Sequence, residues 1–214
     1  MTTAVYNFSA GPAMLPPAVL ERAGEEMRSV GGPGVSIMEI SHRSPEFEAV
    51  REAAENGLRR LMGLGADHEV LFLQGGATLQ FTLIPMNLLA AGRHADYVVT
   101  GAWSEKAAVE ASRLGDSRVI YSSKATGYRT IPTPSEINIS PDAAYVHYCS
   151  NETIGGVEYH AIPYEGEVPL VADASSHFLS RPIDVSKFAL LYAGAQKNAG
   201  PAGLTFVIVR EDLI

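Results

Sequence analysis

Lysine is scarce in this chain: four residues among 214, against twelve arginines. Cysteine is scarcer still. Cys149 stands alone, so no internal disulfide framework can form and stability must come from a packed core. The N-terminal stretch MTTAVYNFSAGPAM lacks the basic start and apolar centre of a secretory leader. No apolar run is long enough to span a bilayer, and LTFVIV at 204–209 is typical of those present. The net charge is −8, with a pI of about 5.2 and no lysine-rich run. That excludes nucleic acid and an anionic membrane surface as expected partners. Together these absences predict a soluble cytoplasmic protein. A small anionic ligand stays compatible with the charge, because arginines and backbone amides act locally. With 46% hydrophobic and 19% charged residues, the chain suits one large domain with a full core.

The apolar pattern predicts an alternation of strands and helices. Residues 1–15 read as an extended arm, with Gly11-Pro12 as a turn signal. Pro16-Pro17 opens a helix from Ala18 to about Val30, with Val19, Leu20, Ala23 and Met27 on one face, and GGPG at 31–34 ends it. Ser44-Pro45 reads as an N-cap with proline after it. The helix that follows carries Phe47, Val50, Ala54, Leu58 and Leu61 at helical spacing. Strands are expected at Glu69–Leu73, Asp96–Thr100, Arg118–Ser122, Ala144–Cys149, Val168–Asp173, Ala189–Gly194 and Leu204–Arg210. Helices are expected from Gly75 to about Leu89 and from about Ser104 to Leu114. Most of the strands are apolar throughout, as strands buried on both faces are. The fold class is therefore α/β, a mostly parallel sheet with helices on both faces. The last two strands are separated by too short a turn for a crossover, so this pair should be antiparallel.

Ligands in such sheets gather at the carboxyl ends of the strands, and the residues found there carry chemistry. Lys197, in YAGAQKNAGPAG, is the only lysine set among small and apolar residues. Burial lowers a lysine's pKa and leaves a nucleophilic amine, the group that captures an aldehyde such as pyridoxal phosphate (PLP). The plain alternative is a solvated loop lysine. Gly75-Gly76-Ala77-Thr78 opens a helix and offers free N–H groups to a phosphate, or is simply a tight strand-to-helix connection. Trp103, the only tryptophan, suits stacking on a flat ring, or is a core aromatic. Thr153, in SNET, offers a hydroxyl, or belongs to a polar loop. Asp173 ends an apolar strand, where it can pair with a pyridinium nitrogen or cap the next turn. His147 and Cys149 share a strand face, but a buried free cysteine is mostly structural. No G-x-G-x-x-G turn follows the first strand, which argues against a dinucleotide-binding domain.

Several stretches together resemble the large domain of the phosphoserine aminotransferase family, class-V enzymes of PLP fold-type I. They are NFSAGPAMLP, SIMEISHRS, LFLQGGATLQF, HYCSNETIGG, VADASSHFLSRPIDV and YAGAQKNAGPAGLTFVIVREDL, spread over nearly the whole chain. The resemblance implies that Lys197 is the Schiff-base lysine and proton shuttle, and that Asp173 pairs with the pyridine nitrogen. It implies that Trp103 stacks on the ring and Thr153 bonds its phenolic oxygen. Ala77 and Thr78 amides, with the Gln196 side chain, would hold the cofactor phosphate. His42 and Arg43 would hold an anionic substrate group beside the Ser9-Ala10 backbone. Some family members carry arginine where this chain has Thr78.

The implied activity is amino transfer between L-glutamate and 3-phosphohydroxypyruvate, giving phosphoserine, and also the phosphohydroxythreonine step of vitamin B6 synthesis. The implied assembly is a homodimer. Residues 16–214 would be the PLP-binding large domain. Family members continue through a smaller C-terminal domain that supplies a carboxylate-binding arginine, so this 214-residue chain on its own is expected to have little activity. The competing readings are a PLP-binding or dimerising fragment without catalysis, and another fold-type I enzyme such as a cysteine desulfurase.

Overall fold

A computed structural model describes residues 5–30 and 34–214. The start of the predicted arm and most of the GGPG stop lie outside the described residues. In chain order the longer elements are helix α1 (Pro17–Glu26), helix α2 (Pro45–Met62), strand β1 (His68–Leu73), helix α3 (Gly76–Leu88), strand β2 (His94–Val99) and helix α4 (Ala102–Ser112). Strands β3 (Asp116–Ser122), β4 (Val146–Cys149), β5 (Asn151–Glu152), β6 (Val157–Glu158), β7 (Leu170–Asp173), β8 (Leu190–Gly194) and β9 (Thr205–Arg210) follow.

Seven strands form one sheet in the order β1-β9-β8-β7-β4-β2-β3. The pairs from β8 through β7, β4 and β2 to β3 are parallel, while β9 runs antiparallel to both β8 and β1. The predicted antiparallel hairpin of the last two strands is present. Its loop, residues 195–204, is closed by Ala195 N–H donating to Leu204 O (2.9 Å) and Gly200 N–H to Ala195 O (2.9 Å).

Side chains alternate across the sheet and feed two cores. Leu191, Ala193, Ala172, Val146 and Ile208 pack on one face with Leu58 and Met62 of α2. Tyr192, Leu190, Val171, Tyr97 and Val207 pack on the other with Phe81 and Ile84 of α3 and Ala107, Ala108 and Ala111 of α4. The helices therefore cover both faces, as the apolar strands required.

The helix α2 N-terminus is built as its sequence suggests. Ser44 Oγ accepts from Phe47 N–H at 3.3 Å, and Gly63 ends the helix in the left-handed region. Losing such a cap costs about 1 kcal/mol. Ser44→Ala should therefore lower the thermal midpoint by ~2–4 °C, the size of shift such a loss gives in a domain this large, read by circular dichroism.

Three expectations are corrected. Leu61 is 67% exposed, and the buried positions of α2 are Leu58 and Met62. A core-facing stripe four residues wide leaves its flank in solvent. None of α1 is buried, and Val19, Leu20 and Met27 are about half exposed. Periodicity marks an apolar face without saying what covers it. Strand β3 is largely exposed, because it lies at the sheet edge beside β2 alone. In addition, the polar NETIGG stretch begins with β5, which pairs with β6 just after it in a small antiparallel ladder.

Candidate active site

The carboxyl ends of β1, β2, β4, β7 and β8 meet along one rim of the sheet. A cleft of about 270 Å³ opens there. Two neighbouring strands supply its floor. Asp173 is the last residue of β7 and stands opposite Tyr192 of β8. Two residues past the end of β8, the loop turns through Gln196 and Lys197. The pairing of these strands brings the acid and the amine, far apart in sequence, into one cavity.

Asp173 is 4% exposed. Burial raises its pKa above the usual carboxylate value, hydrogen bonds from Ser175 pull it down, the nearby Glu152 pushes it up, and Lys197 lowers it. One oxygen, Oδ1, accepts from Ser175 N–H at 2.9 Å. Ser150 Oγ donates to the Asp173 carbonyl (2.7 Å) and lies 2.7 Å from His177 Nε2, fixing the strand end from behind. Lys197 is half-buried. Burial lowers its ammonium pKa, and the Asp173 and Glu152 carboxylates act in the opposite direction. Its Nζ donates to Thr153 Oγ1. The arm reaches this loop through Ala13 N–H, which donates to Gln196 O at 3.3 Å.

Two helix N-termini form the other walls. Helix α3 begins at Gly76 with no side-chain cap, and Gly75 and Gly76 have φ of +92° and +68°. A residue with a side chain is strained in that region. The two glycines turn the chain so that uncapped amides of the first helical turn border the cleft. Such a terminus favours anions. Trp103 sits in the first turn of α4, because that helix starts at Ala102 and not near Ser104 as the sequence pattern suggests. The Lys106 ammonium lies 4.6 Å from its ring centroid.

Of the residues singled out by sequence, Ala77, Thr78, Trp103, Thr153, Asp173, Gln196 and Lys197 all line this cleft. Ala10, His42 and Arg43 do not; they are exposed. The cleft also takes in Phe81, Asn151, Ser175 and Ser176, which sequence reading left out. Ser176 Oγ donates to Asn151 Oδ1 at 2.7 Å, tying the turn after β7 to the start of β5. The signal for Asn151, Ser175 and Ser176 was only their place just past a strand end, and Phe81 lies within α3. His147 and Cys149 make no nucleophilic pair. Burial pushes His147 down to about 3, and its Nε2 meets Tyr192 OH at 2.9 Å. Burial pushes the Cys149 thiol well up, and the thiol donates to Asn151 O at 3.2 Å.

Residues 5–214 match the aminotransferase class-V family. The chain belongs to that family. Among curated class-V relatives, a phosphoserine aminotransferase of Nitrosomonas europaea is 56% identical over 217 residues, covering 98% of this chain and 59% of its own length. The solved phosphoserine aminotransferase of Bacillus circulans subsp. alkalophilus superposes with a TM-score of 0.95 at 52% identity, covering 99% of this chain and 58% of its own. A PLP-bound phosphoserine aminotransferase from Trichomonas vaginalis gives a TM-score of 0.86 at 39% identity, covering 98% and 62%. This class-V chain thus spans about three-fifths of the length of the relatives it matches. No helix among its described residues is long and apolar enough to cross a membrane.

Proposed function

We propose that the cleft binds PLP, and that residues 16–214 are the PLP-binding large domain of a phosphoserine aminotransferase, with residues 1–15 as an arm. The whole protein would be a cytoplasmic homodimer moving the amino group between L-glutamate and 3-phosphohydroxypyruvate to give phosphoserine. One observation carries the reading: Lys197 and Asp173, from adjacent strand ends, line one cleft with Trp103 and an uncapped helix terminus.

The residues fit the cofactor's chemistry at each end. An acid buried at a strand tip, with its carboxyl costly to ionise alone, is suited to a cationic ring nitrogen. An uncapped helix N-terminus is suited to a phosphate. When bound, PLP supplies an aldehyde and a ring that acts as an electron sink.

The chain's own groups do the rest. Lys197, its ammonium destabilised by burial, offers the amine that holds the aldehyde carbon. The same amine is the group that would take and return the proton at the substrate Cα. Thr153, already bonded to Lys197, keeps the amine in place and offers its hydroxyl to the ring oxygen. Asp173 holds the proton at the ring nitrogen. Trp103 covers a ring face. Ala77 and Thr78 amides and the Gln196 side chain hold the phosphate. Ala10, His42 and Arg43 are assigned to the substrate's anionic group on sequence resemblance, since they stand outside the cleft lining of the single chain.

The test is in two parts. Titration of the protein with PLP should give a saturable visible absorbance band with one site per chain. A coupled assay of the whole protein with phosphoserine and 2-oxoglutarate should show turnover, at least tenfold above that with unphosphorylated serine. Absence of a saturable band would overturn the cofactor assignment, and equal rates on the two amino donors would overturn the substrate.

A further inference from the structure

We propose that Glu152 is the positioning residue for the indole wall of the cleft. It reaches from β5 to the N-terminus of α4 and fixes Trp103 while its neighbour Thr153 holds Lys197. The inference rests on the reading of Trp103 as the ring-covering residue.

Glu152 is wholly buried, at 0% exposure. A carboxylate in such a place must find donors for its oxygens. It finds them at the start of a helix about fifty residues earlier. Oε2 accepts from Trp103 N–H (2.9 Å), while Oε1 accepts from Ser104 N–H (2.8 Å) and Ser104 Oγ (2.5 Å). These amides belong to the first turn of α4, where a helix leaves its N–H groups without partners.

Ordinarily the residue preceding the helix supplies the cap. Here that residue is Gly101, which has no side chain. A Cβ built on Gly101 would lie 2.4 Å from Glu152 Cδ, so the glycine makes the space that the distant carboxylate occupies. Ser104 Oγ completes the arrangement by accepting from Thr100 N–H (3.0 Å) and Gly101 N–H (3.2 Å). The local cap has thus been exchanged for a tertiary one.

The exchange has a consequence for the site. A serine or aspartate at 101 would satisfy the same amides but would tie Trp103 to nothing beyond its own helix. Glu152 ties the backbone of Trp103 to the segment whose next residue, Thr153, accepts from the Lys197 amine. The ring wall and the nucleophile are therefore held relative to each other through one two-residue connection. The β5–β6 ladder anchors that connection, with Glu152 opposite Val157.

Trp103 is the only tryptophan, so its fluorescence reports this link directly, without any cofactor. The experiment compares wild type, Glu152→Ala, Glu152→Gln and the surface control Glu165→Gln in the PLP-free chain. Red-edge excitation, where tyrosines are silent, gives emission maximum and acrylamide quenching at a temperature well below each thermal midpoint. The expected result is a red-shifted emission and at least twofold faster quenching in Glu152→Ala. Glu152→Gln, which keeps one acceptor oxygen, should fall between it and wild type, and the control should not move.

A second readout is PLP affinity, expected to weaken about tenfold in Glu152→Ala. Loss of general stability would lower the midpoint without changing native-state quenching, so the two roles separate. If Glu152→Ala does not fold, Glu152→Gln decides by the same criterion. Wild-type emission and quenching in the folded variant would overturn the proposal. Failure of the wild-type protein to bind PLP would remove the cofactor assignment and leave the fluorescence result to decide the positioning role by itself.

Discussion

Lys197→Ala is expected to abolish covalent capture of PLP and to lower turnover of the whole protein by about 10²–10⁴-fold, the usual contribution of one positioned proton-transfer group. On the proposed reading one nitrogen would do two jobs, binding the cofactor's aldehyde and moving the Cα proton, so no neighbour could replace it. The other three lysines are committed elsewhere. Lys124 pairs with Glu105 at 2.5 Å, Lys187 with Glu165 at 2.7 Å, and Lys106 lies over the Trp103 ring. The fold should survive, since Lys197 is half-buried and belongs to neither core cluster. Borohydride reduction followed by peptide mapping checks the attachment, and a coupled assay checks the rate. Cofactor found on Lys106, Lys124 or Lys187 in the wild-type protein would sink the assignment.

Asp173→Asn should separate function from stability. Turnover of the whole protein should fall by roughly 10²–10³-fold, the scale seen when one preorganised electrostatic partner of the reacting system is removed. The PLP-free chain should become more stable at neutral pH. The reason is the buried carboxyl: burial raises its folded pKa above the unfolded one. A group of this kind contributes stability that is present below its unfolded pKa and is lost as pH rises through the folded pKa. The asparagine variant has no such loss. Its melting advantage over wild type should therefore be absent in acid and open as pH rises above the carboxylate range. Glu152 and Lys197, the charged groups acting on Asp173, are unchanged in both proteins. Paired melting curves across pH measure the gap. A gap that closes with rising pH would show that the carboxyl is not penalised in the folded state.

What the sequence made legible follows from what is local. Strands buried on both faces read as apolar runs, and β2, β4, β7 and β8 were found that way, each within about two residues of its ends. Asp173 and Lys197 stood out because a charge at the tip of an apolar run is costly without a use. Distant pairing was not legible. Nothing near Glu152 in sequence announces that its carboxylate caps a helix beginning at Ala102. The polar stretch around it reads as a loop, and nothing in the sequence marks Gly101 as the residue that makes room for it. Similarly, Ser175 and Ser176 look like turn residues until Gly194 N–H is found donating to Ser175 Oγ and Ser176 Oγ to Asn151 Oδ1. The edge position of β3 and the open face of α1 depend on neighbours that a periodic pattern does not name.

The two cores lie within the layers of the sheet, while the cleft is built on its rim. That separation sets the terms on which such a protein can change over generations. Thr78 is exposed, sits in the first turn of α3 and belongs to neither core. A side chain of another size or charge can be tried there without repacking any interior residue. Ligand preference can drift at such positions while the scaffold stays under unchanged selection. Glu152 is the opposite case, a rim residue sunk to zero exposure. Its replacement leaves the Trp103 and Ser104 amides without their acceptor, so change there is constrained by Gly101 and Ser104.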